Sequence, residues 1–133
     1  MSNSSAFEAV RVGQELGVFE LTLDEATVRE RVGLVQWEAL GPEEGGNAPP
    51  GITIVTHAHM KFAAFPEMKA SIWAKSEHEF FKPMKLGSTV RIRGRVVDTY
   101  VKRGRNYVVT ELETLDETGD VLMRSRETGV WVE

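Results

Sequence analysis

The run from Thr89 to Val101 constrains this chain more than any other segment. Val90, Ile92, Gly94 and Val96 alternate with Arg91, Arg93 and Arg95. A period of two puts the apolar set on one face of a β-strand and the arginines on the other. The apolar face of such a strand has to be covered by another layer. Lys102-Arg103-Gly104-Arg105-Asn106 reads as the hairpin tip that follows, and Tyr107–Leu115 as the return strand. Glu117-Thr118-Gly119-Asp120 is a second tip, after which Val121–Val132 closes the chain. Upstream, Ser71–Lys82 supplies another strand, with a turn over Pro83–Ser88, and Val18, Phe19 and Leu21 place a short strand in Gly17–Thr22.

The covering layer is expected from a helix over Gly51–Phe65. Pro49-Pro50 stands at its entry, where the first N–H groups have no intrahelical partner and proline is tolerated. Ile52, Val55, Ala58, His59 and Phe62 fall on one helical face, the expected buried one. The β-branched run Ile52-Thr53-Ile54-Val55-Thr56 favours a strand instead, so local propensity and helical spacing compete here. A capping box at Thr22 and Glu25 predicts a first helix from Asp24 to Leu34, extending as far as Ala39. Gly41–Pro50 (GPEEGGNAPP) is the clearest loop. The expected fold class is α+β, a curved antiparallel sheet wrapped around a long central helix. It forms one domain over residues 7–133, behind a flexible tail of residues 1–6.

The chain has 133 residues, 41% of them hydrophobic and 27% charged, which suits one globular domain. It has no cysteine, so disulfides, thiolate metal sites and a cysteine nucleophile are excluded. With 16 basic and 20 acidic side chains the net charge is −4, which argues against nucleic acid as a partner. No leader pattern opens the sequence and no apolar run reaches the ~18 residues of a membrane span, so no membrane association and a cytoplasmic location are expected. No phosphate loop, no nucleophile elbow and no metal-ligand spacing occur, and no metal is expected.

Four segments resemble the MaoC-like, or hydratase-2-like, hot-dog dehydratases, and in particular the N-terminal-type domain of fused and heteromeric members. They are Val12–Leu16 (VGQEL), Ala48–Pro50 (APP) at the helix entry, Glu77–Val97 (EHEFFKPMKLGSTVRIRGRVV), and Asp98–Thr128. The last contains Asp98–Gly104 (DTYVKRG) and Gly119–Arg126 (GDVLMRSR). The resemblance implies a hot-dog fold, dimeric pairing and the acyl-thioester chemistry of lipid metabolism. Acyl-CoA would be the substrate, with no other cofactor. Active hydratase-2 domains carry a G-D-x-N-P-x-H element whose Asp and His handle the water and the α-proton of a 2-enoyl thioester. Gly41–Asn47 of this chain reads G-P-E-E-G-G-N and has neither. No catalytic dyad is therefore carried over from the family. The resemblance implies a domain that shapes the acyl-CoA pocket while a second MaoC-like hot-dog chain brings the Asp and His.

Within the chain, His57 and His59 are the candidate catalytic groups, able to donate to a thioester carbonyl or to replace the missing acid and base. A core or interface histidine is the simpler reading of His59, and His78 reads as a surface or dimer-edge residue. Glu43 and Glu44 are either substitute bases or a solvated loop. Phe80, Phe81 and Met84 are candidates to line the acyl pocket, and Trp37 and Trp73 divide between core and tunnel. Trp131 is expected in the core or an interface. Arg103 and Arg105 are candidates for coenzyme A phosphates, being suited to bidentate anion contacts. Arg91, Arg93 and Arg95 are otherwise a solvated face balanced by Glu111 and Glu113. Two other functions remain open: a homodimeric hot-dog acyl-CoA thioesterase using Glu43, Glu44 or Glu67, and a non-enzymatic acyl-thioester binding module. In every case the partner is a second hot-dog chain or a second copy of this one, because a lone sheet leaves an uncovered edge.

Overall fold

The computed structural model describes residues 6–24, 26–28, 30, 47–48 and 50–132. A 3-10 turn, Ala6–Ala9, comes first, so one residue of the expected tail, Ala6, is part of the packed domain. It leads into β1 (Glu15–Thr22). A two-residue strand β2 (Asn47–Ala48) precedes a 3-10 turn, Pro50–Thr53, which runs into α1 (Ile54–Ala64). The remainder is β3 (Ala70–Phe80), β4 (Met84–Lys85), β5 (Thr89–Lys102), β6 (Arg105–Leu115) and β7 (Val121–Val132). Strands β1-β5-β6-β7-β3 form one five-stranded sheet, antiparallel throughout, and β2 pairs with β4. The architecture is the α+β one expected: a five-stranded antiparallel sheet packed on a central helix.

The β-branched run at the start of α1 does become helical, because packing against the sheet overrides weak local propensity. Glu25 of the predicted capping box lies outside the described residues. The Thr22 hydroxyl lies 3.1 Å from that of Thr89, and Asp24 is the residue that accepts from the Thr27 N–H, at 2.7 Å. The predicted helix end at Leu34 or Ala39, the Gly41–Gly46 part of the loop, and Trp37, Glu43 and Glu44 lie outside the described residues.

Hairpin chemistry follows the sequence. Arg103 (φ 53°) and Gly104 (φ 76°) are both left-handed, as a two-residue turn between right-twisted strands requires. In β5 the parity is as expected: Val90, Ile92 and Val96 are fully buried and Arg91, Arg93 and Arg95 are exposed. Gly94 is needed on the inner face, since a Cβ there would stand 3.0 Å from Leu16 Cδ1 and 3.2 Å from Leu112.

Two apolar clusters fill the space between helix and sheet. One gathers Phe7, Met60, Phe65, Ile92, Leu112 and Trp131. Trp131 meets Phe65 and Phe7 edge-on at 5.3 and 6.2 Å, which confirms it as core. The other gathers Leu23, Val28, Ile52, Met84, Val90 and Met123. On β7, Met123 belongs to one cluster and Trp131 to the other, and Glu127 stands midway between them.

The helix buries a different face from the one its apolar residues predicted. Thr53, Thr56, His57, Met60 and Lys61 are buried, in the i, i+3, i+4, i+7, i+8 pattern of a single inward stripe. Val55 (54% exposed), His59 and Phe62 (41% exposed) face outward. Of the predicted face only Ile52 is fully inside. The physical reason is the acidic side chain on the sheet beneath, which draws in the cation and the imidazole of the helix.

Candidate functional site

The inner face of β7 is spelled by every second residue: Met123, Ser125, Glu127, Gly129 and Trp131, all buried. Two of these are polar, and each holds a histidine. The Glu127 carboxylate accepts from His57 Nδ1 at 2.8 Å through one oxygen and pairs with Lys61 Nζ at 2.8 Å through the other. His57 and Lys61 are one helical turn apart, so α1 lowers both onto the same carboxylate. His57 and Glu127 are fully buried and the Lys61 side chain is 8% exposed. Burial by itself would raise the Glu127 carboxyl. The hydrogen bond from His57 and the charge of Lys61 outweigh it and hold that carboxyl below its ordinary value. An ionised Glu127 can only accept, so neutral His57 carries its proton on Nδ1 and leaves Nε2 as the lone-pair acceptor. That Nε2 is buried and has no hydrogen-bond partner among the described residues.

Ser125 holds the second histidine. His78 Nδ1 lies 2.7 Å from Ser125 Oγ, across from β7 on strand β3. Directly opposed residues of an antiparallel pair share a face, so Ser76, His78 and Phe80 share the inner face with Glu127, Ser125 and Met123. No strand lies beyond β3 in the sheet of the described residues. This margin is open: Ser76 is exposed, Phe80 is 52% exposed and His78 is half-buried. Further along, a cleft of about 100 Å³ opens between α1 and β3, lined by Ala58, Lys61, Phe62, Ser71 and Trp73. Lys61 Nζ stands 5.2 Å above the Trp73 ring there.

The predicted site residues scatter over this frame. His57 is in the buried trio, and His59 is on the outer face of α1, exposed. Of the two places expected for it, core or interface, the core is therefore excluded. Phe80 and Phe81 (49% exposed) sit at the open end of β3, whereas Met84, 2% exposed, is enclosed in an apolar cluster. Glu67 is exposed in the turn between α1 and β3. Arg103 and Arg105 are exposed at the β5–β6 tip, two strands from β3, near Tyr100 and Tyr107, which stack at 4.8 Å. The three arginines of β5 line the outer face as expected. Arg93 and Arg124 share Glu113 at 3.0 Å each, and Arg95 meets Glu111 at 3.2 Å.

Glu127, Lys61 and Ser125 went unread in the sequence as site residues, and His78 was read only as an edge residue. The signal was available: parity carried back along β7 from Trp131 places Glu127 and Ser125 inward. No group of three or more potential metal ligands occurs among the described residues, and none of their helices is long and apolar enough to cross a membrane.

No family model matches the sequence, and no curated protein matches it. Solved structures do resemble it. An (R)-hydratase from A. caviae involved in PHA biosynthesis aligns with a TM-score of 0.76 at 14% identity, covering 92% of this chain and 97% of that one. The HadBC (3R)-hydroxyacyl-ACP dehydratase complex of Mycobacterium tuberculosis aligns at 0.75 and 15%, covering 90% and 96%. A MaoC-like dehydratase from Rhodospirillum rubrum aligns at 0.72 and 17%, covering 95% and 96%. At these identities the likeness establishes architecture, and it does so over nearly the whole chain: this protein has the hot-dog fold.

Proposed function

We propose that this chain is a subunit of a MaoC-like 2-enoyl-thioester hydratase or dehydratase, of the N-terminal type. It shapes the acyl-CoA pocket, and a second hot-dog chain supplies the catalytic Asp and His. One observation carries the reading most directly. Among the described residues the sheet ends at β3 in an unpaired edge, where Ile72, Trp73 and Phe80, with Phe81 just beyond, are 45–60% exposed, and Phe62 of α1 lines a cleft with Trp73. Open strand edges with apolar side chains invite another strand, and a partner there would enclose an apolar strip between two chains. Support also comes from the fold shared with hydratases and dehydratases, one of them the HadBC complex.

In this reading Phe80 contacts the acyl chain and the buried Met84 supports the wall from behind, whereas Phe81 packs under the outer-face Arg124, whose guanidinium lies 5.5 Å from its ring. Arg103 and Arg105 remain the candidates for coenzyme A phosphates, and His57 acts through its buried trio rather than by touching substrate. The experiment is to measure the mass of the purified chain in solution, and hydration of crotonyl-CoA by the chain alone and co-expressed with a companion hot-dog chain that has the Asp/His element. The expected result is an oligomer, inactive alone and active with the companion. Full activity of the isolated chain, or a monomer indifferent to the companion, would overturn it.

A further inference from the structure

Strand β7 grips one imidazole on each side, and the two are gripped in opposite senses. Glu127 is an acceptor, so neutral His57 is protonated at Nδ1 and presents a lone pair at Nε2, within a fully buried side chain. Ser125 is a hydroxyl, fully buried, and among the described residues its only side-chain hydrogen bond is the 2.7 Å contact to His78 Nδ1. A buried hydroxyl proton needs an acceptor, and leaving one without is unfavourable. The Ser125 hydroxyl is satisfied only by donating to Nδ1. That places the ring proton of neutral His78 on Nε2, so His78 presents a hydrogen-bond donor where His57 presents an acceptor.

Only one of the two is within reach of a ligand. His57 is sealed under α1, whereas His78 is half-buried at the open margin of the inner face, flanked by exposed Ser76 and Phe80. The Phe80 ring lies 6.4 Å from the imidazole, which gives the donor an apolar neighbour on the same strip. A neutral N–H donor next to an aromatic surface suits a carbonyl oxygen joined to an aliphatic chain, and a donor at that oxygen stabilises the negative charge it carries in the enolate, while the α-carbon lacks its proton. Resting on the thioester reading above, we propose that His78 Nε2–H is this chain's contact to the thioester carbonyl oxygen, with Ser125 as its positioning residue.

The test uses the full-length chain in the assembly in which it purifies, with ¹⁵N-labelled imidazoles and crotonyl-CoA as the probe. The free protein is expected to show the Nε2–H tautomer for His78 and the Nδ1–H tautomer for His57. Crotonyl-CoA should shift His78 Nε2 selectively. His78→Ala should weaken its binding by about tenfold, and His78→Gln, whose amide can still donate, should weaken it less. Ser125→Ala should mix the His78 tautomers and Ser125→Thr should restore them, a readout that a purely structural serine would not move. An Nδ1–H tautomer at His78, or unchanged crotonyl-CoA binding in a folded His78→Ala variant, overturns this inference and leaves the thioester reading standing. Failure of the unaltered protein to bind crotonyl-CoA at all removes both.

Discussion

The two faces of β7 carry the same chemical vocabulary in different surroundings. On the outer face, Arg93, Glu113 and Arg124 form a row across three strands, with Arg95 and Glu111 in the next, beside a surface groove of about 690 Å³. On the inner face, Lys61, Glu127 and His57 form a trio of similar distances under the helix. The outer arginine side chains are 41–61% exposed, whereas the three inner ones are almost wholly enclosed. Exposed pairs exchange water for a partner at little net gain. Buried ions have no such alternative, so each inner group depends on the other two. The contrast shows that burial, and not the geometry of an ion pair, decides how much of the fold rests on it.

The most severe way to break this comparison is Glu127→Ala, which leaves an ammonium and an imidazole enclosed without their acceptor. Chemical denaturation should show a loss of about 3–5 kcal/mol. A loss below about 1 kcal/mol would put the inner trio on the same footing as the outer rows. Lys61→Met comes next, because it keeps the apolar stem and removes only the charge. About 3 kcal/mol is expected, and pairing it with Glu127→Leu should recover a large part of that loss, giving strong non-additivity in a double-mutant cycle.

Acid should sharpen the contrast. The folded Glu127 carboxyl lies below its ordinary value of 4.5, so the unfolded chain binds the proton more readily. The stabilisation from Glu127 is present above that value and is lost as pH falls through the lower folded one. Glu127→Gln should flatten this part of the stability–pH curve, whereas Glu113→Gln should alter it far less. Glu113 is also held below its ordinary value. Partial burial opposes the shift there, and hydrogen bonds from Arg124 and Arg93 outweigh it on a solvated face. The smallest effect is expected from Glu113→Ala, no more than about 1 kcal/mol and shrinking further in salt. If salt leaves that effect unchanged, the outer rows are less solvated than their exposure implies.

The helix shows where reading the residues in order falls short. Spacing located it between the twin prolines and Phe65, and the alternation in β5 fixed which of its residues face in. Helical phase was a different matter. Val55, His59 and Phe62 form a plausible apolar stripe, yet Thr53, Thr56, His57 and Lys61 are the residues that turn inward. A hydrophobic stripe identifies a face that prefers to leave water. It does not say whether the sheet or a second chain covers that face. Likewise His78 looked like a strand residue among glutamates, and its inward orientation emerged only once it was paired with Ser125.

Composition, two-residue alternation, turn residues and the proline entry determined by themselves that this chain makes hairpins around a rod, because those signals are local: each depends on neighbours within a few positions. Which polar groups meet inside was decided only by the folded chain. Glu127 stands 70 positions from His57 and Ser125 stands 47 from His78. Contacts of that separation depend on strand order and register, and a buried carboxylate draws in whatever cation and donor those bring within reach.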